Sequence, residues 1–173
     1  MKDWEIVRED IERVVLPTIH EMMAKGDPLL YVRHSGRCCK QVAYLLTCYL
    51  QEQLPDYHWT AWESTFTDYM EDYPHAWVYG ESKTGQSDLI LDYGKLQTEY
   101  AFFQETNGNV YPTLLDSKGN RFFTTEEELE LDMEIDGERK QIIPPEDVLM
   151  AFVGMTFGEA YQTLKKKLEE AGR

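Results

Sequence analysis

The sequence predicts an α+β domain in which a buried, cysteine-bearing helix packs on an antiparallel β-sheet, flanked by N- and C-terminal helices. Three observations carry this. Apolar residues recur at intervals of three and four over residues 3–25 and 37–53, the pattern changes to period two between His58 and Tyr93, and a helix-capping sequence returns near the C-terminus.

In the first segment Trp4, Ile6, Val7, Ile11, Val14, Val15, Ile19, Met22 and Met23 are interspersed with Glu, Asp and Arg, which predicts an amphipathic helix from Asp3 to about Lys25, closed by Gly26-Asp27-Pro28. A short apolar stretch, Leu29 to Val32, leads through His34-Ser35-Gly36-Arg37 to a second helix from about Arg37 to Gln53, with Ser35 as its candidate cap. Cys38, Cys39, Val42, Ala43, Leu45, Leu46, Tyr49 and Leu50 cover more than one face of it, so it is expected to be deeply buried. Strands are expected at His58–Thr65, His75–Tyr79 and Asp88–Tyr93, the last two joined by the turn-rich Gly80–Ser87, with Asp68–Asp72 as an exposed loop. Further strand candidates are Val110–Leu115 with Arg121–Thr124, and Leu129–Ile135 with Lys140–Ile143 across Asp136-Gly137. Pro144-Pro145 opens a short helix to about Val153, and Thr156-Phe157-Gly158-Glu159 has the form of a capping box for a last helix ending near Ala171.

Composition narrows the function. The 173 residues show no repeat, low-complexity tract or linker, so one domain over residues 1–173 is expected, long enough to bury roughly two-thirds of the surface its unfolded chain exposes. With 42% hydrophobic and 13% aromatic residues the chain can fill a core, which argues against disorder. Its formal net charge of −15 argues against a phosphate-backbone binder and points toward a basic protein or peptide partner. The charged N-terminus and the absence of a long apolar stretch predict a cytoplasmic chain with neither export signal nor membrane span. Cys38, Cys39 and Cys48 are a poor disulfide set, because about 13 Å of helical rise would separate Cys39 from Cys48; free thiols are expected.

The chemistry-bearing residues follow from these elements. The first turn of a helix lowers a thiol pKa through its unpaired N–H groups, Cys38 and Cys39 lie there, and Arg37 and Lys40 add positive charge. Downstream, a hairpin centred on Lys83-Thr84 opposes residues whose numbers sum to 167 and sets His75 across from Asp92. Moving the centre by one residue raises the sum to 169 and leaves the two as diagonal neighbours on one face, still within reach. A cysteine from the buried helix, packing on that face, completes a Cys-His-Asp set: nucleophile, proton carrier and orienting acid. A zinc site of His34, the two thiols and His58 or His75 is disfavoured, since adjacent cysteines lack the spacing of structural zinc motifs. No metal or cofactor is expected.

Gly36-Arg37-Cys38-Cys39-Lys40-Gln41-Val42-Ala43, with aliphatics following to Leu50, and His75-Ala76-Trp77-Val78 followed by Asp92, resemble the papain-like cysteine enzymes, most closely their transglutaminase-like branch. The resemblance covers roughly residues 36–94, with a motif-bearing core of about 29–94, and its order is Cys, His, Asp. The family Asp is commonly followed by Pro; Asp92-Tyr93-Gly94 and Gly36-Arg37-Cys38 also look like arylamine N-acetyltransferases. The resemblance implies a papain/transglutaminase-like core and peptidase, deamidase or acyl-transfer chemistry on a protein or peptide through a thioester. It gives Cys39 as nucleophile because Ala43 lies four residues on, with Cys38 as the alternative by Gly-x-Cys spacing, and His75 and Asp92 as partners. Tyr31, His34 and Gln41 are candidate side chains for the oxyanion or substrate beside the cysteine's own N–H, and Trp77 is a candidate substrate contact. A non-catalytic acidic module on the same scaffold, occupying a basic partner surface, is the alternative from another class.

Overall fold

An α-helix turns 100° per residue, so apolar residues at a strict spacing of four drift round it by about 40° per step. Val7, Ile11, Val15, Ile19 and Met23 keep that spacing and are nevertheless all buried. In the computed structural model, which describes residues 2–33, 39–68, 71–93, 102–106, 108, 110, 112, 114–115, 121–123, 140–142, 150 and 153–172, the drift is absorbed by a wide turn. Helix α1 (Asp3–Asp10) passes through a π-helical turn, Ile11–Val15, into α2 (Leu16–Gly26), and the Leu16 N–H bonds the Ile11 carbonyl five residues back. Pro17 supplies a local cause: it has no N–H to give the Arg13 carbonyl, and its ring would crowd that oxygen in a regular α-helix. The helix expected from Asp3 to Lys25 is thus one helical run with a wide turn inside it.

Asp27 ends α2 and starts the next element, because its carboxylate accepts the Leu30 N–H at 3.0 Å and Pro28 fits the first helical position. The apolar stretch after it is therefore a short helix, α3 (Pro28–Arg33). Helix α4 (Cys39–Gln53) buries Val42, Ala43, Leu45, Leu46, Tyr49 and Leu50 over an arc of about 160°. Its expected start at Arg37 and its expected cap, Ser35, lie outside the described residues.

Among the described residues a five-stranded antiparallel sheet follows, running in order from Phe102–Thr106 through Asp88–Asp92, Glu71–Ser82 and Tyr57–Asp68 to Lys140–Ile142. Strands β1 (Tyr57–Asp68) and β2 (Glu71–Ser82) pair along their full length, from Tyr57 opposite Ser82 to Asp68 opposite Glu71. This corrects the loop expected at Asp68–Asp72: the β-branched and aromatic run Thr65-Phe66-Thr67 continues the ladder, leaving only two residues between the strands. Among the described residues β3 (Asp88–Asp92) pairs with β2 from Val78 to Gly80, and Pro74 lies outside that stretch. Strand β4 (Phe102–Thr106), unforeseen in the sequence, pairs along all of β3.

Strands β5 (Leu114–Leu115) and β6 (Arg121–Phe123) form a separate pair, shorter than the expected hairpin. Strand β7 (Lys140–Ile142) joins β1 by setting Ile142 opposite Ala61. The Leu129–Ile135 strand candidate lies outside the described residues, as does most of the helix expected from Pro144; Met150 and Val153 are not helical. Helix α5 (Phe157–Glu170) opens as expected, the Thr156 hydroxyl accepting the Glu159 N–H at 3.1 Å while the Glu159 carboxylate accepts the Thr156 N–H at 3.3 Å.

One buried cluster joins α1, α2, α4 and α5 to a single face of the sheet through Ala61, Ala76, Val78, Leu89, Leu91, Tyr93 and Phe103. Strand alternation then turns His75, Trp77 and Asp92 to the opposite face. The apolar residues of α4 thus pack on the face opposite His75, and the helix meets the imidazole through Cys39 at its start. Among the described residues no helix is long and apolar enough to cross a membrane.

Gly80 lies tight against the core, since a Cβ there would lie 2.5 Å from the Trp59 ring. Gly80→Ala is expected to destabilise the fold by about 1–3 kcal/mol through overpacking, read as a lower urea midpoint at unchanged slope.

Candidate active site

The turn between β2 and β3 sets the register on which the site depends. Asp88 accepts the Ser82 N–H at 2.8 Å through Oδ1 and the Tyr79 hydroxyl at 2.6 Å through Oδ2, and Gly85 takes a φ of 78° that suits glycine. With the turn held this way Val78 pairs with Leu91 and Gly80 with Leu89, the second of the two registers open to the sequence. His75 and Asp92 are therefore diagonal neighbours. Their side chains meet at 2.6 Å, from Nε2 to Oδ2, with His75 6% and Asp92 4% exposed.

Cys39, the first described residue of α4, completes the set. Its half-buried thiol hydrogen-bonds His75 and also receives the Ala76 backbone N–H. Because Asp92 occupies Nε2, Nδ1 is the ring nitrogen left for the thiol. Burial pushes the thiol pKa up and Asp92 opposes the thiolate, but the hydrogen bond and charge of His75, helped by the Ala76 N–H, outweigh both and hold it below its ordinary value. For His75, burial favours the neutral ring, yet the Asp92 charge and hydrogen bond, with Cys39 adding to them, raise it to about 10. Both shifts favour a thiolate–imidazolium pair backed by a carboxylate.

Neighbouring groups fix the pair. The Trp77 ring lies nearly parallel to the imidazole, 19° between planes and 6.4 Å between centroids, and its indole N–H is anchored on the Val110 carbonyl at 2.9 Å. At 1% exposure Trp77 lies buried beside His75. Lys40, next to Cys39, bonds Glu63 of β1 at 2.7 Å and ties the start of α4 to the sheet.

The other expected site residues are placed differently. The Tyr31 hydroxyl meets His20 Nδ1 at 3.1 Å, and burial lowers the His20 pKa. Gln41 is half-buried, two residues beyond Cys39 on α4. His34 and Cys38 lie outside the described residues, His58 is exposed on β1, and Cys48, like Cys39, is half-buried and in no disulfide. Among the described residues no group of three or more His, Cys, Asp and Glu side chains could hold a metal ion. A cavity of about 600 Å³ lined by Trp4, Leu54, Tyr57 and Glu105 adjoins Gln53, at the opposite end of α4 from Cys39.

Two contributors escape sequence reasoning. Glu63 becomes a partner of Lys40 only through the packing of α4 on β1, and Val110 supports Trp77 from 33 residues away. The Ala76 amide had a local signal, its adjacency to His75. Compared with protein families, curated proteins and solved structures, the chain matches none.

The geometry fixes a pH dependence. Cys39 alkylation by iodoacetamide is expected to rise as pH passes the lowered thiol pKa, below the ordinary free-thiol value of about 8.5, and to change again near pH 10 as His75 loses its proton. In His75→Ala the first midpoint moves upward, because the lowering by the imidazole's charge and hydrogen bond is then gone. Mass spectrometry of the Cys39 peptide at each pH gives the profile, and a first midpoint unmoved in the variant would exclude the coupling.

Proposed function

We propose that the chain is a cysteine-dependent enzyme with a papain-like, transglutaminase-like core, which cleaves or transfers an amide or acyl group of a protein or peptide through a thioester. The observation that carries this reading is the contact of the Cys39 thiol with a buried imidazole itself bonded to a carboxylate. The sequence resemblance adds the order of the three residues and the His75-Ala76-Trp77-Val78 motif.

In the resting state the thiol proton resides on His75. Attack of the Cys39 sulfur on the substrate carbonyl forms the C–S bond and moves an electron pair onto the carbonyl oxygen. The Cys39 amide N–H, near the start of α4, is the donor this reading assigns to that oxyanion. Collapse breaks the bond to the leaving nitrogen as His75 gives it the proton, leaving a thioester and a neutral imidazole. Water or an amine then attacks the thioester, its proton passes to His75, and the departing thiolate restores the ion pair. Asp92 keeps the imidazole oriented and stabilises its charged form throughout. Water as acceptor gives peptidase or deamidase activity; an amine gives crosslinking or acyl transfer.

The net charge of −15 favours a basic substrate. It also favours the second reading, a non-catalytic acidic module occupying a basic partner surface. A panel of peptide amides and acyl esters, with hydroxylamine to release any thioester, separates the two. Cys39→Ala, His75→Ala and Asp92→Asn are each expected to lower turnover by about 10³-fold or more while circular dichroism stays native. Full turnover in His75→Ala would overturn the enzyme reading, and an unreactive thiol with no acyl-enzyme across the panel would favour the module.

A further inference from the structure

A net charge of −15 attracts basic partners to the whole surface, so a site for one needs shape as well as charge. The cavity of about 600 Å³ at the C-terminal end of α4 has both, and its volume is that of an ordinary ligand pocket. Among the described residues its apolar part comes from Val7, Leu54 and Tyr57, which are buried, and from the half-buried Trp4. The Tyr57 hydroxyl donates to the Gln86 side chain, also in the lining, at 3.1 Å, which holds the ring in the wall. Exposed carboxylates are supplied by Asp3, Asp56 and Glu105. About 21 Å of helical rise separates Gln53, at this cavity, from Cys39 at the start of α4.

The groups around the cavity already hold cations of the chain itself. Lys2, in the lining, is ion-paired with Glu105, the Arg8 guanidinium lies 5.9 Å over the Trp4 ring, and the Lys83 ammonium bonds the Pro55 carbonyl at 2.8 Å. Carboxylates, aromatic faces and carbonyls all accept cations. With Lys2 balanced by Glu105, Asp3 and Asp56 remain, and neither forms an ion pair among the described residues. These carboxylates do not converge on a point: among the described residues no group of three or more His, Cys, Asp and Glu side chains could hold a metal ion. A cation that brings its own apolar length suits the arrangement. The alkyl stem of an arginine or lysine side chain can cover Leu54 and the Tyr57 ring while its charged head reaches the carboxylates.

We propose that this cavity is a docking site for a basic side chain, arginine or lysine, of a peptide or protein partner, with Asp3 and Asp56 meeting its charge and Leu54 and Tyr57 its stem. The site is separate from the chemistry at Cys39. It serves a basic partner whether the chain acts on that partner or only occupies its surface, so it does not rest on the enzyme reading.

The test is fluorescence anisotropy of fluorescein-labelled peptides of alternating glycine and a second residue, titrated with the full chain. Peptides with arginine or lysine are expected to bind, and those with citrulline, which keeps the stem without the charge, or with glutamate are not. Asp3→Asn combined with Asp56→Asn is expected to weaken arginine-peptide binding about tenfold. Both positions are exposed, so the melting temperature stays unchanged. Asp68→Asn combined with Glu71→Gln removes the same charge at the far end of the β1–β2 ladder from Tyr57, and is expected to change binding less than about twofold. Cys39→Ala is expected to bind as the wild type does. Equal binding by the two charge variants, weakened or not, would assign the peptide to the overall negative field and overturn the docking site. So would the absence of arginine- and lysine-peptide binding, or binding of the citrulline or glutamate peptide as tight as that of arginine. Loss of binding in Cys39→Ala would move the peptide to the proposed active site and overturn the cavity's role as well. Turnover plays no part in the readout, so an inactive chain that binds through Asp3 and Asp56 would sink the enzyme reading alone.

Discussion

A carboxylate and an imidazole that are both almost fully removed from water have to satisfy each other, and the arrangement around Cys39 is organised by that requirement. Asp92 and His75 meet at 2.6 Å with 4% and 6% of their surfaces exposed. Either group alone would be a buried polar atom without adequate compensation, at a cost of several kcal/mol. Together they favour the protonated ring, and the protonated ring in turn favours the thiolate of Cys39. The thiol is thus held below its ordinary value by a chain of two interactions, although its own burial acts in the other direction.

That pair depends on strand register. A shift of one residue would turn one of the two side chains to the opposite face of the sheet. Asp88 prevents such a slip by bonding the Ser82 amide and the Tyr79 hydroxyl together, closing the turn and clamping the strand before it. Gly80 contributes from the other face, where the Trp59 ring occupies the space a side chain would need. Trp77, beside the imidazole, and Lys40, salt-bridged to Glu63, complete a frame in which the nucleophile and its partner are held from separate elements.

The helical layer takes part in the same organisation. A stripe with spacing four cannot stay on one face of a regular α-helix for five repeats, and the wide turn at Ile11–Val15 is how the chain keeps Val7 through Met23 in the core. The consequence reaches the sheet, because the turn carries Glu12 to the hydroxyl of Tyr93, the residue after Asp92. The first helix and the chain segment that bears Asp92 are thus joined by a direct bond.

Local signals in the sequence identified the helical runs at Asp3–Gly26, Cys39–Gln53 and Phe157–Glu170 and the central strands, because each depends on the spacing of apolar residues along a single segment. The capping box at Thr156 and Glu159 was legible for the same reason, as was the pairing of His75 with Asp92 in either of two registers. The wide turn was not legible from periodicity alone: a spacing of four reads as an ordinary helix, and only the requirement that every member of the stripe be buried selects the π geometry. Nor was the extension of β1 and β2 through Asp68 and Glu71, where polar residues imitate a loop until the long ladder is formed. Strand β4 is similar, since Phe-Phe-Gln-Glu-Thr gains its identity from pairing with β3. Sequence alone therefore determined which residue types were available and which short segments would be helix or strand. Tertiary structure decided the register between β2 and β3, the contact of Cys39 with His75 and the bond of Tyr93 to Glu12, because each is fixed by groups far apart in the chain whose geometry no single segment contains.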